Sequence, residues 1–522
     1  MPHSPTAEDS LRQARRRAFW GAFAVLWVLA ATWAVASPVL SGPDENAHVV
    51  KAAAVVRGEL GGRSSADNPG SGLVVVPDFY RATMTYPICF AFQPEATPDC
   101  VTPLPEGDAA DDEVESTTWM VRNNPVYYAV VGLPTLLPPG ESVLYLMRLV
   151  SAGMCAAVLA WGFREVAGLA RRSWLLLGVT AALTPMVVYL TSTVNPSALE
   201  ICAALTLWVS LLALVRDPDP ARLGSRAAGI AVVAVLLANS RGTSPFYVGL
   251  IALTVAAVGP WSGVLRVLRD RRSWPWLGLT VVGTALSLGW TASAGTLEAG
   301  GADHPELGFL STALRTLTDT GDFLVVSIGR FGWLDTSMPV LAVVVLCALI
   351  GVLPLLALAL ARRQDRFAVP LVLVVAIGIP VLVHAWQARS VGYIWTARYS
   401  LPLTVGVLAV AGFVARDARS SLPDEAGPRL LRTIVPWLAV GQLVGFATNL
   451  RRYTVGATGS WRDVLDGAWS PPVPILLLLA VQVLALAVGT VLVLRAGTAT
   501  GTGAGTTERP ATAQATAADV SP

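Results

Sequence analysis

The chain has 522 residues, of which 54% are apolar and only 14% charged, and its formal net charge is +2. A soluble chain carries about 25% charged residues, so this composition excludes a soluble enzyme, and the near-zero charge gives no footprint for nucleic-acid binding. Long apolar runs recur down the chain and predict an all-α, polytopic integral membrane protein.

Residues 1–18 form a short N-terminal segment with Arg12, Arg15, Arg16 and Arg17. Residues 19–40 are the first apolar span. A secretory leader has an apolar region of only about 7–15 residues. This run is longer and carries Trp20, Trp27 and Trp33, so it reads as an uncleaved anchor, although Ala34-Val-Ala36 mimics a cleavage site.

Further apolar segments lie at 143–163, 174–193, 198–215, 227–239, 245–259, 275–294, 338–361, 367–386, 400–415, 432–449 and 473–494. Together they predict about 12 transmembrane helices, within a range of roughly 10–13. The runs at 227–239 and 245–259 are shorter than the ~20 residues a full span needs. The break Ser240-Arg-Gly-Thr-Ser-Pro245 leaves two readings, a pair of short tilted spans or a re-entrant pair. The membrane domain is thus 19–495. The tail 496–522 is Thr/Ala/Gly-rich, lacks apolar periodicity and reads as disordered.

Arginines concentrate in the short loops near 164–172, 216–226, 266–272, 362–366 and 416–432. The positive-inside rule then predicts a plasma-membrane protein with both termini cytoplasmic. Three segments fall outside: 41–141, 295–337 and 450–472. The first is nearly the length of a small domain, and a loop of that length between closely joined spans is usually functional. The second contains Phe309 to Val326, which can form a surface helix. Cys155, Cys202 and Cys347 lie in apolar spans and read as packing residues. Cys89 and Cys100 lie in the first outer loop, where an extracytoplasmic pair can form a disulfide.

The most informative stretch is Ser41-Gly-Pro-Asp-Glu-Asn-Ala-His-Val-Val-Lys51, directly after the first span. Pro43 suits the first helical position, with Ser41 or Gly42 as cap. On a helix from Pro43 to Arg57, Asp44, His48 and Lys51 (the only lysine of the chain) share one face, with Glu45 beside it. This places an acid–base cluster at a membrane mouth. Acids in a first helical turn also stabilise the helix dipole by roughly 0.3–1 kcal/mol, so the cluster alone does not demand chemistry.

Arg148, Arg241, Arg330, Arg389 and Arg398 lie in or beside apolar spans. An arginine at the bilayer centre costs about 2.5–3.5 kcal/mol, so it needs a partner or a cavity. Arginine also suits phosphate through its planar fork. Each arginine can equally anchor a helix end to lipid headgroups; Arg398, beside Tyr399, is the strongest exception. Asn123-Asn-Pro-Val-Tyr-Tyr128 can bind sugar hydroxyls or form a turn and an interfacial aromatic belt. The chain lacks a Walker phosphate loop, an HExxH zinc motif and a GxSxG elbow. With four histidines, it does not suggest a histidine-rich metal centre.

Pro43-Asp-Glu-x-Ala-His48 followed by Gly58, Asn124-Pro-Val-Tyr-Tyr128, Ser192-Thr-Val-Asn-Pro196, Gly329-Arg-Phe-Gly-Trp-Leu-Asp335 and Ala397-Arg-Tyr-Ser-Leu-Pro402 resemble, in order, the motifs of the membrane-protein family called domain of unknown function 2142. The resemblance covers roughly 20–450, and Ser197 stands where the family pattern has Asp. The architecture is similar in turn to C-type glycosyltransferases, which use polyprenyl-phosphate-linked sugars and carry an acid just after the first span. That resemblance implies transfer of a sugar from a polyprenyl-phosphate donor to a cell-envelope glycan or glycoconjugate acceptor. Asp44, or Glu45, would be the general base or a metal contact. His48, Lys51, Arg330, Arg398 and Tyr399 would bind phosphate or substrate, with Asn124, Tyr127 and Tyr128 lining the cleft. Asp44 and Arg398 would then share one cavity. The resemblance fixes no cofactor, and a divalent metal stays open. The alternatives are a transporter or flippase of a lipid-linked saccharide, which should show paired discontinuous helices, and a non-catalytic envelope-assembly protein.

Overall fold

The computed structural model describes residues 7–65, 70–297, 304–418 and 423–498. Most of the tail assigned above to disorder lies outside the described residues.

The first span is α1 (Ala7–Val35), a 29-residue helix. A turn over Ala36–Asp44 leads into α2 (Glu45–Val55), which is buried along its whole length. The predicted start at Pro43 is corrected by one feature: Asp44 has φ 58 and ψ 12 and stands outside the helix as its N-cap residue. This left-handed conformation is one that Asp tolerates better than most residues. The first loop then builds a three-stranded antiparallel sheet, β1 (Arg63–Ser64), β2 (Gly72–Pro77) and β3 (Glu113–Thr118), in which Val74 pairs with Ser116. The apolar run Leu73-Val-Val-Val76 is the strand signal, and Val74 and Val76 point into the core. Helix α3 (Pro125–Val131) ends the loop, with Asn124 as its N-cap.

The bundle continues through α4 (Glu141–Ala167), α5 (Ser173–Ala182), α6 (Pro185–Thr191), α7 (Pro196–Arg216), α8 (Leu223–Ala238) and α9 (Ser244–Val258). It is completed by α10 (Trp274–Ser293), α11 (Val340–Leu360), α12 (Ala368–Val391), α13 (Ala397–Asp417), α14 (Ala426–Val455) and α15 (Ile475–Thr498). Among the described residues, nine helices are long and apolar enough to cross a membrane. The pair α5/α6, bent by 66° at Leu183-Thr184, makes a tenth. Helix α9 is apolar but only 15 residues long, and the 20-residue α10 exposes Leu277, Val281, Leu286 and Leu288, so the described spans number nine or ten against the expected twelve. The chain is an all-α polytopic membrane protein.

The segment 227–259 forms two helices, α8 and α9, which touch each other and are joined by a turn at 239–243. Helices Phe309–Thr318 and Thr320–Gly329 precede a two-stranded ribbon, β4 (Arg330–Phe331) with β5 (Thr336–Ser337). Helices α7 and α13 are almost wholly buried and form the centre, whereas α11 and α15 are mostly exposed. Their arginine-rich ends are tied by Arg216, which donates to Asp417 at 3.0 Å and Asp365 at 2.9 Å, and by Arg416, which donates to Asp217 at 2.5 Å.

Candidate functional site

The backbone between α1 and α2 is fixed from several directions. Arg148 on α4 donates to the carbonyls of Ala34, Ser37 and Pro38 at 2.9, 2.9 and 2.7 Å. Asn195 donates to the Pro43 carbonyl at 3.0 Å, and Tyr189 and Tyr453 both donate to the Ser41 carbonyl. The two adjacent acids that follow have different surroundings. Glu45 accepts from Arg148 through both oxygens, at 2.7 and 2.6 Å, and also from the amides of Gly42 and Val194. Its side chain and that of Arg148 are each 1% exposed. Every oxygen of Glu45 is therefore engaged in holding the turn.

Asp44 points the other way. Its side chain is 24% exposed and accepts from Arg398 Nη2 at 2.5 Å, from the first turn of α13. Arg398 Nη2 also donates to Tyr399 Oη at 3.1 Å, while its Nε and Nη1 are buried without a hydrogen-bond partner among the described residues. The Tyr399 ring lies between two cations: the guanidinium carbon of Arg241 is 4.3 Å from the ring centroid and that of Arg398 is 5.1 Å. Arg241, in the α8/α9 turn, donates to Ser197 Oγ at 2.8 Å. Ser244 in turn donates to Glu200 at 2.5 Å. Burial opposes the charge on Asp44, but the guanidinium groups of Arg398 and Arg241 hold its carboxyl below the usual range.

His48, one turn on from Asp44, is buried, and burial pushes its imidazole down to about 3. It is neutral at physiological pH. Its Nδ1 lies 2.8 Å from Tyr128 Oη, which accepts from Asn123 Nδ2 at 3.0 Å. The single tyrosine proton is thus free for Nδ1, which leaves the histidine proton on Nε2. Burial raises the Tyr128 phenol well above its ordinary value, so it stays a donor.

Other residues singled out from sequence lie elsewhere. Lys51 is buried and donates to the carbonyls of Leu60 and Val121, closing the base of the first loop. Burial pushes it down to about 8. Arg330 forms a two-pronged pair with Asp322 at 3.1 and 2.8 Å, apart from Asp44. Tyr127 bonds Ser151 at 2.9 Å, and Asn124 caps α3 while donating to Asn239 at 2.9 Å. Cys89 and Cys100 are joined by a disulfide, with Cα atoms 6.1 Å apart. The buried Arg452 holds this loop by donating to the carbonyls of Phe90, Gln93 and Ala96. Among the described residues no group of three or more His, Cys, Asp or Glu side chains gathers as a metal site.

The structure therefore brings together Asp44, His48, Tyr128, Arg398 and Tyr399. The cluster also contains Asn123, Ser197, Glu200, Arg241 and Ser244. Arg241 carries a sequence signal, a cation in a break between apolar runs, but nothing local points from it to Tyr399.

Residues 26–407 match the family described as predicted membrane protein (DUF2142). The chain belongs to the DUF2142 family. The matched region holds the whole of this cluster, from Asp44 to Tyr399. No curated protein and no solved structure matches this DUF2142 chain.

Proposed function

We propose that this DUF2142 protein is a membrane glycosyltransferase that moves a sugar from a polyprenyl-phosphate donor to a cell-envelope acceptor. In this reading it lies in the plasma membrane with both termini cytoplasmic, and Asp44 opens to the extracytoplasmic side. The observation that carries the reading is the Asp44–Arg398 pair. It joins a partly exposed carboxylate to an arginine with two unpartnered nitrogens, beside a second arginine.

The donor phosphate binds Arg398 and Arg241, whose planar forks suit phosphate oxygens. It displaces Asp44 from Arg398. Losing a cationic neighbour makes the Asp44 carboxylate a stronger base. The acceptor hydroxyl oxygen attacks the anomeric carbon as its proton passes to Asp44. The bond from that carbon to the phosphate oxygen breaks, and its electron pair leaves with the polyprenyl phosphate, whose charge the two arginines stabilise. Asn123 offers its amide oxygen to the sugar, and His48, whose tautomer Tyr128 fixes, offers its Nε2 proton. Glu45 is not the base, because Arg148 and two backbone amides occupy both its oxygens. Arg330 is not a phosphate ligand in this scheme, because Asp322 neutralises it.

The transporter reading draws on the 66° break between α5 and α6. Inverted-repeat transporters carry such breaks in corresponding positions of both halves. Among the described residues there is one bent pair, so transfer is the better account. The test is incubation of the reconstituted protein with polyprenyl phosphates bearing different sugars, followed by lipid extraction. Consumption of one donor, with release of polyprenyl phosphate, is the expected result. No consumption of any donor, together with movement of one across the bilayer, would replace transfer with transport.

A further inference from the structure

A second polar site lies at the other end of α1. Arg12, Arg15 and Arg16 on α1, Arg164 on α4 and Arg222 before α8 surround a cavity of about 440 Å³. The 29-residue helix α1 separates it from Asp44, about 40 Å at the helical rise per residue. Its apolar wall is aromatic: Phe19, Trp20 and Trp161.

The charges around it do not balance. Arg12 meets Glu8 at 2.6 Å. Arg222 is held at 3.8 Å from Glu165 and 3.9 Å from Asp219, and Glu165 is shared with Arg226. Arg164 lies over the Trp161 ring at 4.4 Å. Among the described residues Arg16 meets no carboxylate, and residues 1–6 contain no acid. Arg15 is the decisive group. It is only 7% exposed, lies against Gly168, and its Nε has no hydrogen-bond partner among the described residues. A buried guanidinium N–H without an acceptor costs free energy unless an anion supplies one.

We propose that this pocket binds the headgroup of an anionic phospholipid. The phosphate oxygens would accept from Arg15, Arg16 and Arg164, and the acyl chains would lie along the exposed Trp20. Position decides for a lipid over a soluble anion. The arginines form a collar at one end of the membrane helices, and Phe19, Trp20 and Trp161 begin the apolar zone at once, as in basic pockets between spans that hold anionic headgroups. The site is independent of the glycosyl-transfer reading.

The test uses the full chain in phosphatidylcholine vesicles with and without diphosphatidylglycerol, solubilised gently and analysed for retained lipid. Wild-type protein should retain diphosphatidylglycerol. Arg15→Gln with Arg164→Gln should retain about tenfold less or lower, since each basic residue near the surface contributes to such binding. Arg16 is exposed, so Arg16→Glu tests the pocket without disturbing the fold and should also reduce retention. Arg462→Gln, exposed in the loop after α14, should not. Equal retention by all variants, equal retention of phosphatidylcholine, or displacement of the lipid by millimolar pyrophosphate would overturn the proposal.

Discussion

Glu45 binds Arg148 through both carboxylate oxygens, although its neighbour Asp44 turns to an arginine 354 residues away. Two consecutive acids thus divide two tasks. One fixes the turn after the first span, and the other is presented at its edge.

That division predicts different consequences for two isosteric changes. Removing one partner of a buried pair typically costs about 3–5 kcal/mol. Glu45→Gln should therefore lower thermal stability in detergent clearly and reduce protein yield. Asp44→Asn keeps a partly exposed amide oxygen able to accept from Arg398, so its unfolding temperature should fall less than that of Glu45→Gln. Equal shifts in thermal melts would contradict the assignment.

Stability should fall on acidification. His48 binds its proton at about 3 when folded, against an ordinary value of 6.5. Between those values the unfolded chain binds more protons, so stability rises with pH through this window. At pH 5 the loss relative to pH 7.5 is about 2 kcal/mol. Asp44, held below its ordinary value, adds a further loss only below about pH 4. Melting curves at pH 7.5 and 5 should separate for wild type and converge for His48→Gln. A wild-type curve that does not move would count against a buried neutral imidazole.

Lys51 should be structural. Its ammonium joins Leu60 and Val121 across the first loop. Lys51→Met leaves two carbonyls without their donor, at about 1–3 kcal/mol for each buried unsatisfied group. Limited proteolysis should then cut within the first loop faster than in wild type, and rates that do not change would refute the role.

The spans were legible because hydropathy is a local property and each run carries its own signal. The start of α2 was not, because the left-handed turn at Asp44 is imposed by contacts from Arg148, Asn195 and Tyr189, which lie far along the chain. Arg148 was readable as a cation needing a partner, but the sequence does not say that Glu45 is that partner. Arg241 lacked an assignment for the same reason: its neighbours Ser197 and Tyr399 come from two other helices. Arg330 shows the converse, a cation in a conspicuous motif whose partner, Asp322, lies only eight residues away.

The central claim is that Asp44 takes the acceptor proton while Arg398 holds the donor phosphate. The most direct measurement is the rate of polyprenyl-phosphate release by reconstituted protein with Asp44→Asn, Arg398→Ala or Arg398→Lys, each first shown to be folded at the assay temperature. A general base typically contributes 10²–10⁴-fold, so Asp44→Asn should cut the rate by about that factor. Arg398→Ala should weaken donor use, and Arg398→Lys should recover it only partly, because lysine lacks the paired donors. Wild-type release by folded Asp44→Asn protein would contradict the account.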